Sequence, residues 1–247
     1  MGKKFYDNNF IYNERIRFVS KLHNYLFLKK RKVIIDLPSS ILSKIDRKLI
    51  DKKNVVIIDN IYDLKRPIFI IPSIRKNRDT KKNIYSGKDY IIISRKTLLF
   101  RSNIKKTNNS YLFLSGSGQL DSEIISLIKN TKSLKLIIGP LVSKSEIKTL
   151  KKLKIKFTIN PSNYLRILHS AKEIYCKFGV SSYELISMNK KPIILDHGEN
   201  LIRYKDIKYL FDNGLIKLIR KNKIISKNKK IQIDINRSLK NLISLIN

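Results

Sequence analysis

The fold is decided by the stretch Glu173–Leu195, which reads EIYCKFGVSSYELISMNKKPIIL. Its apolar run at Glu173–Lys177 predicts a buried strand, and a turn follows at Gly179. Two hydroxyl residues then open an apolar segment, which predicts a helix over Ser181–Asn189. Pro192–Leu195 predicts the next strand. A strand, a helix and a strand in this order indicate one unit of a parallel sheet.

The same alternation continues on both sides of this stretch. Upstream, the pattern predicts three further strand–helix pairs: Tyr111–Leu114 with Asp121–Asn130, Leu134–Ile138 with Ser145–Leu153, and Ile155–Ile159 with Ser162–Ser170. Downstream, it predicts helix Leu201–Asn213, which Gly214 ends, and strand Leu215–Ile219. Because the strands are continuously apolar, we expect a parallel sheet with helices on both faces.

A second, shorter α/β unit is predicted nearer the start of the chain. Its predicted strands are Lys32–Asp36, Asn54–Asp59, Pro67–Pro72 and Tyr90–Ser94, and its predicted helices are Glu14–Lys30 and Ser39–Asp51. The basic stretches Arg75–Lys88 and Lys221–Lys230 are expected to be loops, and Asp234–Ile246 is expected to be a final helix. The polar segment Asn103–Ser110 is the expected linker, which divides the chain into domains 1–105 and 106–247.

Composition excludes several classes of protein. Hydrophobic residues make up 42% of the 247, which is enough for a packed core. No apolar run approaches the roughly 20 residues that span a bilayer, and the polar start predicts no secretory signal. A single cysteine, Cys176, excludes an internal disulfide, and three scattered histidines give no metal-ligand spacing. We therefore expect a cytoplasmic protein with no metal and no cofactor.

The formal net charge of +34 has two interpretations. Binding to nucleic acid or to an anionic membrane surface is one. The other is compositional drift, because the chain has 40 lysines but 13 arginines, and a single alanine. A selected nucleic-acid surface often enriches arginine, whose planar fork suits phosphate and guanine. Drift is therefore favoured, nucleic acid is a weaker alternative, and peripheral contact with an anionic membrane stays open.

Glycines gather at one edge of the predicted sheet, where the strands end. Gly116, Gly118, Gly139, Gly179 and Gly198 are five of the eight, and ligands bind at this edge in open α/β sheets. Most such glycines serve only the turns. The turn Ser115–Gly118 is richer, because two glycines and two hydroxyls could lie against phosphate oxygens. It is not a Walker loop, because no Gly-Lys-Ser/Thr follows, and it is not a dinucleotide motif, because Leu120-Asp121 stand where the third glycine is needed.

Two further turns carry polar groups at the same edge. In Gly179–Glu184, Ser181 and Glu184 fit a capping box, in which each satisfies a free backbone donor of the other. Alternatively, Glu184 could accept the two hydroxyls of a ribose while the helix N-terminus binds a diphosphate. Asp196–Asn200 could be an ordinary polar turn with Asn200 as the cap. His23 and His169 are expected to be structural.

The stretch Ala171–Gly214 resembles the donor-binding segment of GT-B glycosyltransferases. Within that superfamily the chain is most similar to the nucleotide-sugar hydrolase of pseudaminic acid synthesis and its spore-coat polysaccharide relatives. The likeness covers about residues 30–220, because KVIIDLP, NVVIIDNIYDLKRPIFIIPSI, YSGKDYIIISRKTLLF and YLFLSGSG occur in the family's order. It implies an α/β, GT-B-like fold of two Rossmann-like parallel-sheet units, the N-terminal one incomplete.

The resemblance also implies a uridine diphosphate sugar, held by the C-terminal domain opposite an acceptor-side N-terminal domain. Its expected ligands are Gly116, Ser117, Gly118, Gly179, Ser181, Ser182, Glu184 and Asn200, with Glu184 on the ribose. The family's next residue is glutamine, where this chain has Leu201. The implied activity is transfer or hydrolysis at the anomeric or diphosphate centre of the UDP-sugar, in the synthesis of surface polysaccharide or nonulosonic acid.

One departure from the family bears on catalysis. Its members open with a glycine-rich loop that carries a histidine, and the first thirty residues here offer only Gly2 and His23, in another context. The catalytic residues therefore stay unknown. We expect the chain to bind a UDP-sugar weakly and to turn it over near background unless a second chain supplies that segment. A catalytically inactive UDP-sugar-binding subunit is the alternative.

Overall fold

The computed structural model describes residues 33–35, 42, 46–58, 64–75, 83–94, 96–97, 100, 104–114, 120–131, 133–140, 142–195, 201–220 and 223–228. These residues fall into two compact units. The N-terminal unit contains the described residues up to Ile91, and the C-terminal unit contains those from Ile92 onward. This division precedes the predicted linker, and the functional domain boundary near residue 105 stays a prediction.

The N-terminal unit is built on four parallel strands. They are β1 (Val33–Ile35), β2 (Val55–Ile58), β3 (Ile68–Ile71) and β4 (Ile84–Ser86), in the spatial order β1-β2-β3-β4. A short helix, α1 (Arg47–Ile50), lies between β1 and β2, and Asp46 caps it. Because the order of these four strands never reverses, they form no topological switch point among themselves.

The C-terminal unit is built on a sheet of seven strands. The strands are β5 (Ser110–Leu114), β6 (Lys135–Ile138), β7 (Phe157–Ile159), β8 (Glu173–Cys176), β9 (Ile193–Ile194), β10 (Lys217–Arg220) and β11 (Lys223–Ser226). The helices are α2 (Ser122–Asn130), α3 (Lys144–Lys152), α4 (Tyr164–Ser170), α5 (Val180–Ser187) and α6 (Leu201–Asp212). The order β7-β6-β5-β8-β9-β10 is that of a doubly wound fold, with β11 antiparallel at the edge.

These two sheets confirm the predicted fold class, which is α/β with parallel sheets.

The core of the C-terminal unit is formed where apolar side chains of its strands pack against those of its helices. Leu112 of β5 and Leu136 of β6 are buried against Ile124 of α2 and Leu150 of α3. The helices begin where the chain offers an oxygen to their free N–H groups. The side chain of Ser143 accepts from the Glu146 N–H in a capping box that starts α3.

Two predictions about strands were wrong. The fourth strand of the N-terminal unit is Ile84–Ser86, inside the stretch that we expected to be a loop, whereas 91–94 form no strand. The chain leaves the sheet at Gly87, whose φ of 112° favours glycine, and a 3-10 turn at Lys88–Tyr90 follows. Ile91 and Ile93 are nevertheless buried, which is why their apolar run resembled a strand.

The second error lies at the other end of the chain. The stretch Lys221–Lys230 was expected to be a loop, but its Lys223–Ser226 segment is β11, in register with β10 through the pair Leu218 and Ile225. The predicted helices Glu14–Lys30 and Asp234–Ile246 lie outside the described residues. No helix in the described part is both long and apolar enough to cross a membrane.

Candidate functional site

The order in which strands are added to the sheet reverses between β5 and β8, and the candidate site lies at this switch point. The two strands pair in parallel, with Ser110 opposite Glu173 and Phe113 opposite Cys176. From β5 the sheet continues in one direction to β6, and from β8 it continues in the other to β9. The segments that leave the carboxyl ends of β5 and β8 therefore separate, which is the general origin of a ligand crevice in doubly wound sheets.

On the β8 side of this crevice, the structure describes the whole segment from Lys177 to the start of α5. Gly179 is the N-cap residue of α5, and its backbone is extended, with φ of 165° and ψ of −162°. Any residue adopts that conformation. A Cβ built on Gly179 would meet no described atom within 4 Å. Neither backbone geometry nor packing among the described residues requires glycine here, so the space beside it is open.

The two serines of this turn have different surroundings. Ser182 is fully buried, and its hydroxyl donates to the Gly179 carbonyl at 2.6 Å and accepts from the Gly179 N–H at 3.2 Å. Ser181 is 8% exposed, and its hydroxyl makes no hydrogen bond within the described part of the chain. Ser182 therefore closes the first turn of α5, and Ser181 keeps a hydroxyl available to a ligand.

The capping box proposed for Ser181 and Glu184 is not formed. The helix begins at Val180, two residues earlier than a Ser181 cap would require, so Ser182 occupies the third position of the helix. Glu184 lies one turn further along and accepts a hydrogen bond from the Thr97 hydroxyl at 3.2 Å. The purely structural interpretation of Glu184 as a cap is therefore excluded by the start of the helix.

Glu184 belongs to a cluster of hydroxyl groups. The Ser94 and Thr97 hydroxyls are 2.7 Å apart, and the Thr97 N–H donates to Ser94 at 3.1 Å. Burial raises the pKa of Glu184, and hydrogen bonds from Thr97 and Ser94 only partly offset it. Tyr164 adds a third hydroxyl, and its pKa is raised by burial and by the negative charge of Glu184. The cluster holds a carboxylate among paired hydroxyl donors.

An ion pair lies at the same switch point. The Lys177 Nζ is 2.6 Å from Asp121 Oδ2, and the two side chains are 34% and 37% exposed. Lys177 follows directly after β8, and Asp121 caps α2, where its Oδ1 accepts from the Ile124 N–H at 2.9 Å. A cation and a carboxylate thus face each other across the crevice.

The other predicted ligands are not described. Gly116, Ser117 and Gly118 lie in the segment after β5, and Asn200 lies before α6, so their part in the site stays a prediction. His23 and His197 are also outside the described residues. Cys176 is buried in β8. Among the described residues, no three histidine, cysteine, aspartate or glutamate side chains form a group that could hold a metal ion.

His169 occupies a structural environment. Its ring lies 5.7 Å from the Phe100 ring, and its buried Nδ1 has no hydrogen-bond partner in the part of the chain that the structure describes. Burial lowers the pKa of His169, and Lys190 and Lys106 lower it further. The neutral imidazole is therefore favoured. Lys190, one of these two lysines, donates a hydrogen bond to the Ala171 carbonyl at the end of α4.

A groove of about 950 Å³ runs along α2 rather than at the strand ends. One wall is the polar side of α2, and the floor is apolar, formed by strands on the same face of the sheet. The lining residues are Ser122, Glu123, Ser126, Leu127, Asn130, Thr131, Tyr175, Leu195, Ile219 and Ile224. Among the described lining residues the one charged side chain is the acidic Glu123, so the groove suits an anionic phosphate less well than the switch point does.

Comparison with known proteins identifies no family. No family profile matches the chain, and no curated protein matches it. Among solved structures, S. aureus MnaA in a co-structure with UDP has 11% identity and a TM-score of 0.42, over 81% of this chain and 71% of that one. Spinosyn rhamnosyltransferase SpnG has 8% identity and a TM-score of 0.40, over 93% and 71%.

SpnG complexed with thymidine diphosphate gives 8% identity and a TM-score of 0.38, over 93% of this chain and 72% of that one. All three TM-scores are below 0.5. The fold class therefore rests on the strand order of the two sheets, and function has to be argued from the residues at the switch point.

Sequence reasoning missed several residues of this site. Ser94 was predicted to end a strand, Thr97 lies three residues beyond it, and Tyr164 gave no signal beyond its place in a helix. Lys177 and Asp121 are 56 positions apart and meet only because β5 and β8 are neighbours. Lys177 could have been found as the cationic last residue of a predicted strand, two residues before the glycine turn.

Proposed function

We propose that the chain is a nucleotide-sugar-binding protein of GT-B type, whose C-terminal unit holds the nucleoside diphosphate. The observation that carries the proposal is the open space beside Gly179 at the N-terminus of α5, at the switch point of a doubly wound sheet. A phosphate can approach a backbone without a Cβ closely, and free N–H groups at a helix start favour its negative charge.

The groups around Gly179 fit the parts of a UDP-sugar. The unpartnered Ser181 hydroxyl can donate to a phosphate oxygen. Glu184 already accepts from the Thr97 hydroxyl, which lies 2.7 Å from the Ser94 hydroxyl, and a ribose offers two hydroxyl donors on adjacent carbons. We propose that the ribose diol replaces these hydroxyls beside Glu184. Gly116, Ser117 and Gly118 would complete the phosphate contacts from the β5 side, and Asn200 would contribute from the turn before α6.

The proposed activity is transfer or hydrolysis of the sugar, in line with the resemblance to enzymes of surface polysaccharide and nonulosonic acid synthesis. A catalytically inactive binding subunit would retain affinity for UDP but lack turnover. UDP-sugar consumption by the purified chain, alone and with candidate partner chains, separates these two. The weaker alternative, nucleic-acid binding, predicts tight association with RNA at physiological salt and a steep salt dependence.

The sharpest test of the site is Gly179→Ala. Its extended backbone accepts alanine, and a methyl group would enter open space, so the variant should melt at or slightly above the wild-type temperature. The same methyl group should weaken UDP binding at least severalfold, because it occupies the space proposed for the phosphate. Titration calorimetry with UDP and thermal melting measure the two effects.

Gly214→Ala is the matched control. Gly214 follows α6 with φ of 70°, so alanine there should lower the melting temperature but leave UDP affinity unchanged. Equal UDP affinity of wild type and Gly179→Ala would exclude the phosphate site beside α5. Absence of UDP binding by the wild type would exclude the proposed function.

A further inference from the structure

The Lys177–Asp121 ion pair joins the segment after β8, which leads to the proposed phosphate site, to the N-cap of α2. Lys177 stands two residues before Gly179, and Asp121 begins the helix that follows β5. We propose that Lys177 is the cationic contact of the nucleotide diphosphate, and that its pairing with Asp121 is the arrangement without ligand. This inference rests on the proposed function of the C-terminal unit, and it adds a residue that the family resemblance did not assign.

Asp121 and Lys177 differ in the other contacts that they make outside the ion pair. Asp121 has a second task, because its Oδ1 accepts the Ile124 N–H and caps α2. Burial alone would raise the pKa of Asp121, but hydrogen bonds from Lys177 and from the Ile124 N–H outweigh burial and lower it. If Lys177 moved away, Asp121 would keep its helix and its solvation. Lys177 is the partner with a flexible stem and three donors, so it can exchange one anion for another.

The energetics favour an exchangeable pair. Both side chains are about one-third exposed, and an ion pair of that exposure contributes little net stability because water screens it. A diphosphate carries more charge than one carboxylate and can accept from Lys177 and from the N-terminus of α5 together. The pair is therefore weak enough to open and close enough to the site to guide an anion into it.

Two neighbouring features point to a ligand independently of the ion pair. Ser181 is 8% exposed, and its hydroxyl has no hydrogen-bond partner among the described residues. The position where a Cβ of Gly179 would lie is open. Both features and Lys177 fall within five consecutive positions at the carboxyl end of β8, so one phosphate group could contact all three.

The experiment compares the binding of UDP and of uridine by titration calorimetry for the wild type and three variants. Lys177→Gln should weaken UDP binding about tenfold, the cost of one charge-assisted contact, and leave uridine binding unchanged. Lys172→Gln is the matched control, because Lys172 is exposed at the opposite, amino end of β8 and its loss changes the net charge equally. It should leave UDP affinity within about twofold of wild type.

Asp121→Asn distinguishes a ligand contact from a structural brace. Asparagine caps a helix about as well as aspartate, so α2 should remain intact. The substitution frees Lys177 and removes a negative charge, so UDP should bind severalfold more tightly. Thermal melting of each variant confirms that it folds.

Three results would overturn the inference. Equal UDP affinity of Lys177→Gln and Lys172→Gln would show that only net charge matters. Weaker UDP binding by Asp121→Asn would show that the pair braces the crevice rather than competing with the ligand. Equal loss of UDP and uridine affinity in Lys177→Gln would place Lys177 away from the phosphates. Failure of the wild type to bind UDP would instead reject the proposed function as a whole.

Discussion

The two adjacent serines of α5 should respond in opposite ways to alanine. In Ser182→Ala, Gly179 loses a donor to its carbonyl and an acceptor for its N–H, which are contacts of 2.6 and 3.2 Å. Each hydrogen bond contributes about 1 kcal/mol net, and the higher helix propensity of alanine returns about 0.5 kcal/mol. Unfolding free energy should therefore fall by about 1–2 kcal/mol.

In Ser181→Ala no hydrogen bond within the described chain is lost, so stability should be unchanged or rise by about 0.5 kcal/mol. Its UDP affinity should fall, because the lost hydroxyl is the one open to a ligand. Urea unfolding followed by circular dichroism measures stability, with the slope checked for equality among variants. Equal destabilisation by both substitutions, or none by Ser182→Ala, would refute this division of roles.

Two further predictions concern the same unit. Because burial raises the pKa of Glu184, its contribution to stability is greatest below the ordinary glutamate pKa and is lost as pH rises through the folded-state value. Glu184→Gln does not ionise, so its melting temperature relative to wild type should rise as the pH is raised above the ordinary glutamate pKa; a constant difference would contradict this. Ile124→Ala removes a fully buried side chain of α2 and should cost about 2–5 kcal/mol in urea unfolding, whereas a loss below about 1 kcal/mol would place Ile124 outside the core.

Local signals explain which elements could be predicted. The helices α2 and α3 were placed within one residue, because Asp121 marks the start of α2 and the apolar spacing of α3 was clear, although its cap is Ser143 and its predicted start was Ser145. The strand β4 was missed because three residues before a glycine carry too little apolar pattern. The strand β11 was missed because its lysines resemble a solvated loop, although pairing with β10 satisfies its backbone.

The site was only partly predictable, for a different reason. The sequence identified the turn at Gly179 and the hydroxyls beside it, because a short motif at a strand end is a local feature. It did not separate Ser181 from Ser182, since that depends on the residue at which α5 begins. The partners of Glu184 and Lys177 are distant in sequence, so only the packing of the strands brings them together.

The edges of the seven-stranded sheet give the basic composition a physical consequence. One edge is β7, with Lys154 and Lys156 exposed just before it, and the other is β11, which begins at the exposed Lys223. An unpaired strand is a template for pairing with another chain, and lysines on it oppose that by repulsion and by the cost of burying them. Whatever produced the excess of lysine, the lysines beside these two edges of the described sheet oppose self-association, a protection that high salt or bound polyanions would weaken.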